Sequence, residues 1–156
     1  YQRGRKMEEG LSLVSKIRKT FALPGVDVRS YSPLALAYIG DDVYDVVVRT
    51  FVVEHANRSA HDLHKISSHF VKAQTQAAMI EALEELLTEE EEAVYKRGRN
   101  AKAYTTAKNA SVADYRKATG LEALMGYLYL SDRMDRVLEL MKEGFTRLEL
   151  TVREGH

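Results

Sequence analysis

Apolar residues recur every three to four positions along most of this 156-residue chain, which is the spacing of amphipathic helices. No proline follows Pro33, and the remaining sequence is rich in alanine, leucine, glutamate and lysine, which favour helices. The pattern therefore predicts an all-α protein. Apolar periodicity places helices over residues 11–21, 34–53, 69–87, 121–130 and 134–150.

Helix start signals precede several apolar runs. A serine or threonine followed three residues later by an acid occurs at Ser59, Thr88 and Ser111, and this spacing is typical of a helix N-cap. Ser32-Pro33 supplies an N-cap followed by a first-turn proline. We therefore expect helices to begin at each of these four points.

Proline and glycine indicate where the helices end. Pro24-Gly25 is predicted to end the first helix. Gly98 is predicted to break the chain, and Gly120 to interrupt the helix that begins at Ser111.

The length predicts one domain, at roughly 150 residues per domain. We expect an N-terminal extension over residues 1–30, a domain over residues 31–150 and a short tail over residues 151–156. Residues 1–6 precede Met7, which is a candidate native start.

Composition excludes several classes of protein. Lys and Arg total 23 and Asp and Glu total 23, so the chain lacks the strongly basic charge of a protein that coats nucleic acid. It has no cysteine for a disulfide or a thiol nucleophile, no apolar run long enough to cross a membrane and no glycine-rich phosphate loop. We expect a cytoplasmic protein without a nucleotide cofactor, whose nucleic-acid contacts, if any, come from a local patch.

The two most apolar segments each carry an acidic residue. Residues 34–53 contain Asp41 directly after Gly40, and residues 121–130 contain Glu122. Segments that are apolar nearly all round are normally buried, and a buried carboxylate needs a cation, hydrogen bonds or a metal. Mg²⁺ binds one or two carboxylates and keeps several waters, so one ion held by both acids would satisfy them together.

Other interpretations of these acids stay open. Asp41 can cap a local turn while Glu122 occupies a solvated helix position, and Arg49, two turns from Asp41, can serve as its partner. Asp45 lies one turn after Asp41 on the same helical face, so it is a further candidate metal ligand or an outer group. Asp42 points elsewhere and is expected to be solvated.

An acidic run is followed by a basic one. Residues 81–92 hold seven glutamates and no Lys or Arg, whereas residues 93–113 hold five basic residues and no acid. Cations and small polar donors on a glycine-broken loop suit contacts with phosphates and sugars, and an ordinary solvated loop is the alternative. The candidate RNA contacts here are Lys96, Arg97, Arg99, Asn100, Lys102, Lys108 and Asn109.

Histidine and tyrosine give weaker signals. His61 and His64 share a helical face, which suits either zinc or a surface position that contacts phosphate. The tyrosines of the apolar segments, including Tyr38 and Tyr44, have core spacing and are interpreted first as packing residues.

Two motifs resemble those of the ribonuclease III family. Residues 36–43, LAYIGDDV, resemble its signature, an apolar run followed by Gly-Asp-Ala/Ser-Val. Residues 121–130, LEALMGYLYL, resemble its second motif, a Glu followed by Ala-Leu-x-Gly. The whole pattern is similar to the Mini-ribonuclease III branch, which lacks a double-stranded-RNA-binding domain. Further matching segments are Leu63-His64, residues 72–77, 89–91, 96–102, 108–109 and 115–119.

This resemblance implies the ribonuclease III endonuclease-domain helical fold in a homodimer. It implies Mg²⁺-dependent cleavage of double-stranded RNA to 5′-phosphate and 3′-hydroxyl ends, with maturation of the 23S ribosomal RNA precursor as the usual task. Asp41 and Glu122 take the place of catalytic metal ligands, and Tyr38 that of an aromatic residue at the dimer interface. His64 and Lys72 lie in matching segments, and we add both to the candidate RNA contacts.

The sequence departs from the full-length family at several positions. Leu34, Ala37 and Thr119 stand where further acids are usual, and Asp42 stands where Ala or Ser is usual. The ligand set is therefore thin. A non-catalytic RNA-binding or ribosome-assembly module on the same fold, and a helical protein-interaction dimer, are the alternative functions.

Overall fold

A computed structural model describes residues 11–101 and 111–152, and within these ranges every regular element is a helix. The all-α prediction is confirmed. No helix in the described ranges is both long enough and apolar enough to cross a membrane. The helices are α1 Leu13–Thr20, α2 Pro33–His55, α3 Ala60–Val71, α4 Ala73–Leu83, α5 Glu89–Asn100, α6 Val112–Leu130 and α7 Met134–Arg147, with 3-10 turns at Val28–Ser30 and Glu84–Leu86.

Helix α6 is the centre of the molecule. Helices α2, α4 and α5 pack around it, α3 lies against α2, and α7 packs mainly on α4. From Ala118 to Leu128 every residue of α6 except Glu122 is buried. A helix apolar on all faces is stable only where other helices cover it, so this segment fixes the arrangement of the others.

The predicted helix starts are confirmed by their caps. The hydroxyls of Ser32, Ser59 and Ser111 each accept a hydrogen bond from the backbone N–H three residues later. Thr88 and Glu91 form a reciprocal capping box. The carboxylate of Glu91 is fully buried and also binds Arg136 of α7, so this cap ties the start of α5 to α7.

Helix α1 is attached to the end of α6. Val14 of α1 is buried, and Arg18 Nη2 donates to the carbonyl of Leu130 at 2.8 Å. The predicted division into an extension, a domain and a tail stays a prediction.

The predicted helix over residues 69–87 is wrong in its limits. The chain turns at Lys72, whose extended backbone ends α3 and begins α4. We call residues Phe70 to Ala73 the α3–α4 corner. Because it contains neither proline nor glycine, the local sequence gives no stop signal there.

The predicted breaks at Gly98 and Gly120 are also wrong. Both residues lie inside helices, α5 and α6 respectively. A Cβ at Gly98 would lie 2.7 Å from the Cβ of Ala123, and one at Gly120 would lie 2.6 Å from the Tyr95 ring. These glycines let α5 approach α6 closely, so residues 93–100 form a helix instead of the expected glycine-broken loop.

A second pair of glycines brings α2 and α6 into backbone contact. A Cβ added at Gly40 would overlap the backbone oxygen of Glu122 and lie 2.8 Å from the nitrogen of Gly126. A Cβ added at Gly126 would overlap the carbonyl oxygen of Leu36. There is therefore no space for a side chain between the two helices at this crossing.

Replacing Gly40 with alanine is therefore expected to cost at least about 3 kcal/mol of unfolding free energy, because the new methyl group meets rigid backbone. Denaturant unfolding of Gly40→Ala measures this cost. Gly25→Ala is the matched control, since nothing lies within 4 Å of its added Cβ, and its change should stay within about 0.5 kcal/mol. Equal stabilities of the two variants would contradict the tight crossing.

Candidate active site

The crossing of α2 and α6 brings Asp41 and Glu122 together. Asp41 follows Gly40 on α2, and the backbone of Glu122 lies against Gly40. The two carboxyl groups are within hydrogen-bonding reach of each other. Asp41 is exposed and Glu122 is half-buried, so the pair lies at a solvent-facing rim. The apolar sequence around the two acids predicts that both are buried, and this is wrong for Asp41.

The carboxylate pair is under electrostatic strain. Burial, followed by the hydrogen bond and charge of Asp41, raises the pKa of Glu122 to about 9. Burial and the charge of Glu122 also raise the pKa of Tyr44, which lies one turn after Gly40. At neutral pH the pair therefore retains a proton that two isolated carboxylates would have lost.

The donor set fits a hard divalent cation. Two carboxylates at a rim supply negative oxygen ligands and leave room for water or a phosphate oxygen. A cation there would also favour the ionised form of Glu122, whose pKa is raised first by burial and then by Asp41. Within residues 11–101 and 111–152 there is no cluster of three or more His, Asp or Glu side chains that could hold a metal.

The neighbouring acids are directed elsewhere. Asp45 Oδ2 forms an ion pair with Arg49 Nε at 2.9 Å, so both of these groups have a partner other than the carboxylate pair. Asp42 is exposed and lines a cavity of about 280 Å³ between α1, α2 and the turn after α6. The proposed contribution of Asp45 to metal binding stays a prediction.

The candidate RNA contacts on α5 lie in its last two turns. Lys96, Arg97 and Asn100 are exposed. Lys96 Nζ pairs with Glu92 at 3.0 Å, while Arg99 lies over the Tyr95 ring at 5.6 Å and donates to Asn100 Oδ1. Lys102, Lys108 and Asn109 lie outside the described residues.

The remaining candidate contacts lie on other elements. His64 is exposed on α3 and, with His61 and Arg49, lines a groove between α2 and α3. Lys72 is exposed at the α3–α4 corner. In the described ranges, neither His61 nor His64 belongs to a group of three or more His, Asp or Glu side chains that could hold a metal. The structure therefore gives no support to the zinc interpretation.

Tyr38 does not pack in the core of the single chain. It is 81% exposed, and the apolar side chains of Leu34 and Val46 are also exposed on α2. This placement contradicts the interpretation of Tyr38 as an internal packing residue and leaves an aromatic surface on the signature helix.

Tyr44 is the site residue whose role the sequence did not indicate. Its ring is fully buried, as core spacing predicts, but its hydroxyl donates to the carbonyl of Phe70 at 2.6 Å. The only available signal was its position, one turn after the Gly-Asp pair, and that signal is indistinguishable from ordinary packing.

Lowering the pH should stabilise the metal-free protein through Glu122. Because its pKa is raised in the folded state, the folded protein binds the extra proton, and this contribution to stability is lost as pH rises from about 5 to about 9. Unfolding by denaturant across this range, without divalent ions, measures the effect. Glu122→Gln should flatten the decline, whereas Glu54→Gln, at the exposed end of α2, should follow the wild type; parallel profiles for all three would contradict the raised pKa.

Comparison with known proteins agrees with this arrangement. Residues 34–133 match the family model described as the ribonuclease III domain, a range that includes both carboxylates and the glycine crossing. The fold also matches a crystal structure of a protein from Fusobacterium nucleatum with a TM-score of 0.70, at 26% identity, over 76% of this chain and 91% of that one. The helices around α6 therefore form a ribonuclease III domain.

Curated relatives narrow the assignment. The chain is 47% identical over 117 residues to Mini-ribonuclease 3 of Enterococcus faecalis, which covers 74% of this chain and 89% of the relative. It is 42% identical over 131 residues to Mini-ribonuclease 3 of Thermoanaerobacter, covering 84% and 92%. The chain belongs to the ribonuclease III family, in its Mini-ribonuclease 3 branch. It is accordingly an endoribonuclease for double-stranded RNA, in a family that generally uses a divalent metal.

Proposed function

We propose that this endoribonuclease uses Mg²⁺ at Asp41 and Glu122 and matures the ends of the 23S ribosomal RNA precursor in the cytoplasm, leaving 5′-phosphate and 3′-hydroxyl ends. The observation that carries the metal assignment is the approach of two carboxylates from distant parts of the chain at the α2–α6 crossing. The resemblance of the sequence to the Mini-ribonuclease III branch supports the choice of RNA.

Asp41 and Glu122 would hold the ion. When bound, Mg²⁺ supplies Lewis-acid stabilisation of negative charge at the phosphate that is cut. In its absence the pair holds a proton at neutral pH, because the pKa of Glu122 is raised to about 9. Loading the site at this pH therefore releases a proton, and the apparent affinity for the ion rises with pH.

The basic residues hold the duplex. Phosphate contacts place a nucleic acid without reading its bases, and exposed Lys and Arg side chains supply them. In our proposal the contacts are Lys96, Arg97, Arg99, Asn100, Lys102, Lys108, Asn109, Lys72 and His64. The described members of this set lie on the last turns of α5, on α3 and at the α3–α4 corner.

Removing either carboxylate should stop cleavage without stopping binding. With Mg²⁺ and a duplex formed from the paired ends of a 23S precursor, Asp41→Asn and Glu122→Gln should each cleave at least about 100-fold more slowly. Without divalent ions both should keep their affinity for the duplex. Arg97→Ala should bind more weakly and reduce the slope of log affinity against log salt by about one.

The controls separate this function from its alternatives. Asp42→Asn tests the neighbouring acid and Lys142→Ala an exposed lysine on α7, and both should behave as the wild type. Wild-type cleavage rates in both carboxylate variants would overturn the metal assignment. Binding of the duplex without any metal-dependent cleavage would favour the non-catalytic RNA-binding module, and equal cutting of an unrelated duplex would overturn the assignment to the 23S precursor.

Tyr38 supports a homodimer in this proposal. An aromatic ring that is 81% exposed, on a helix that also exposes Leu34 and Val46, suits burial against a second copy of the chain. The wild type should have twice the mass of one chain by light scattering, and Tyr38→Glu should shift the mass toward that of one chain. The exposed Val53→Glu, further along α2, is the control, and a single-chain mass for the wild type would exclude the dimer.

A further inference from the structure

The hydroxyl of Tyr44 connects the active-site helix to the α3–α4 corner. Tyr44 lies four residues after Gly40, so its buried side chain is on the face of α2 that crosses α6. Its hydroxyl donates to the Phe70 carbonyl at 2.6 Å. This is a buried hydrogen bond between elements 26 residues apart in sequence.

The corner depends on such side-chain hydroxyls. The last carbonyls of a helix have no partner within the helix, and α3 ends at Val71 without a glycine cap. Tyr44 satisfies the carbonyl of Phe70, and the Thr75 hydroxyl satisfies that of His69 at 2.6 Å. These two bonds fix the direction in which the backbone leaves α3.

The same tyrosine lies one turn after Gly40, where α2 meets the backbone of Glu122. Burial first, and then the charge of Glu122, raises the pKa of the Tyr44 hydroxyl. The phenol thus connects the helix that carries Asp41 to the carbonyl of Phe70. Two residues beyond that carbonyl, the exposed Lys72 carries a cation.

We propose that Tyr44 is a positioning residue of the nuclease: its hydrogen bond to the Phe70 carbonyl fixes the α3–α4 corner, so that the exposed Lys72 is held where it contacts the phosphate backbone of the duplex. This inference rests on the proposed function. It explains how Lys72, one of the proposed RNA contacts, is held in place on an element separate from the basic end of α5.

A double-mutant cycle on the intact protein tests the connection. Tyr44→Phe removes only the hydroxyl, and Lys72→Ala removes the cation. We expect each to lower the affinity for duplex RNA without divalent ions, and kcat/KM with Mg²⁺, by about fivefold, the worth of one hydrogen bond. The double variant should be no worse than Lys72→Ala alone, because Tyr44 acts through Lys72, and Lys72→Arg should restore most of the affinity.

Tyr127→Phe is the matched control. Its hydroxyl also binds another element, donating to Glu90, and its loss should lower the Tm about as much as Tyr44→Phe does. A purely structural role predicts that the two tyrosine variants affect RNA affinity equally. Our proposal predicts that Tyr127→Phe binds RNA as the wild type does.

Three results would overturn the inference. They are multiplicative losses in the double variant, wild-type affinity of Tyr44→Phe, and wild-type affinity of Lys72→Ala. If Asp41→Asn is inactive when any of these is found, the nuclease assignment stands and the positioning role alone is lost. Full activity of Asp41→Asn and Glu122→Gln would instead remove the proposed function itself.

Discussion

The close contact between the backbones of α2 and α6 is the constraint on which the rest of the structure depends. At Gly40 and Gly126 each helix meets the main chain of the other, and neither position has space for a methyl group. Asp41 and Glu122 are the residues beside this contact, so the distance between their side chains is set by backbone. A site held in this way is rigid without a dedicated set of supporting side chains.

At the carboxylate pair, the function that we propose and the stability of the fold oppose each other. Two acids from different helices share one rim, and burial of Glu122 makes its ionised form costly. A packed apolar pair at these positions would avoid that cost. The neighbouring Asp45 is paired with Arg49, which limits further accumulation of negative charge along α2.

Much of this architecture could be predicted from the sequence, because local chemistry determines it. The capping residues Ser32, Ser59, Thr88 and Ser111 define helix starts by their own hydroxyls, and periodic apolar residues define the buried faces. The meeting of Asp41 with Glu122 was accessible from their apolar surroundings and from the family motifs. The sequence did not indicate how deeply the two carboxylates are buried, since the pair lies at the rim of the core.

The features that were missed are tertiary. The corner at Lys72 is formed by hydroxyls of Tyr44 and Thr75, and neither contact leaves a local signal. Gly98 and Gly120 were misinterpreted because glycine serves two opposite purposes, to release a helix and to let a second helix approach it. Only the neighbours Ala123 and Tyr95, distant in sequence, decide between them.

Helix α5 carries four glutamates in its first turn and basic residues near its end, so this helix separates charges of opposite sign although the chain as a whole has no net charge. The helix dipole stabilises acidic residues at the N-terminus and basic residues at the C-terminus, so this arrangement costs little free energy. A neutral molecule with separated charges experiences little net force from a distant polyanion, but it does experience a torque. Approach to RNA would then begin with rotation, and dissolved salt would slow productive encounters by weakening that alignment.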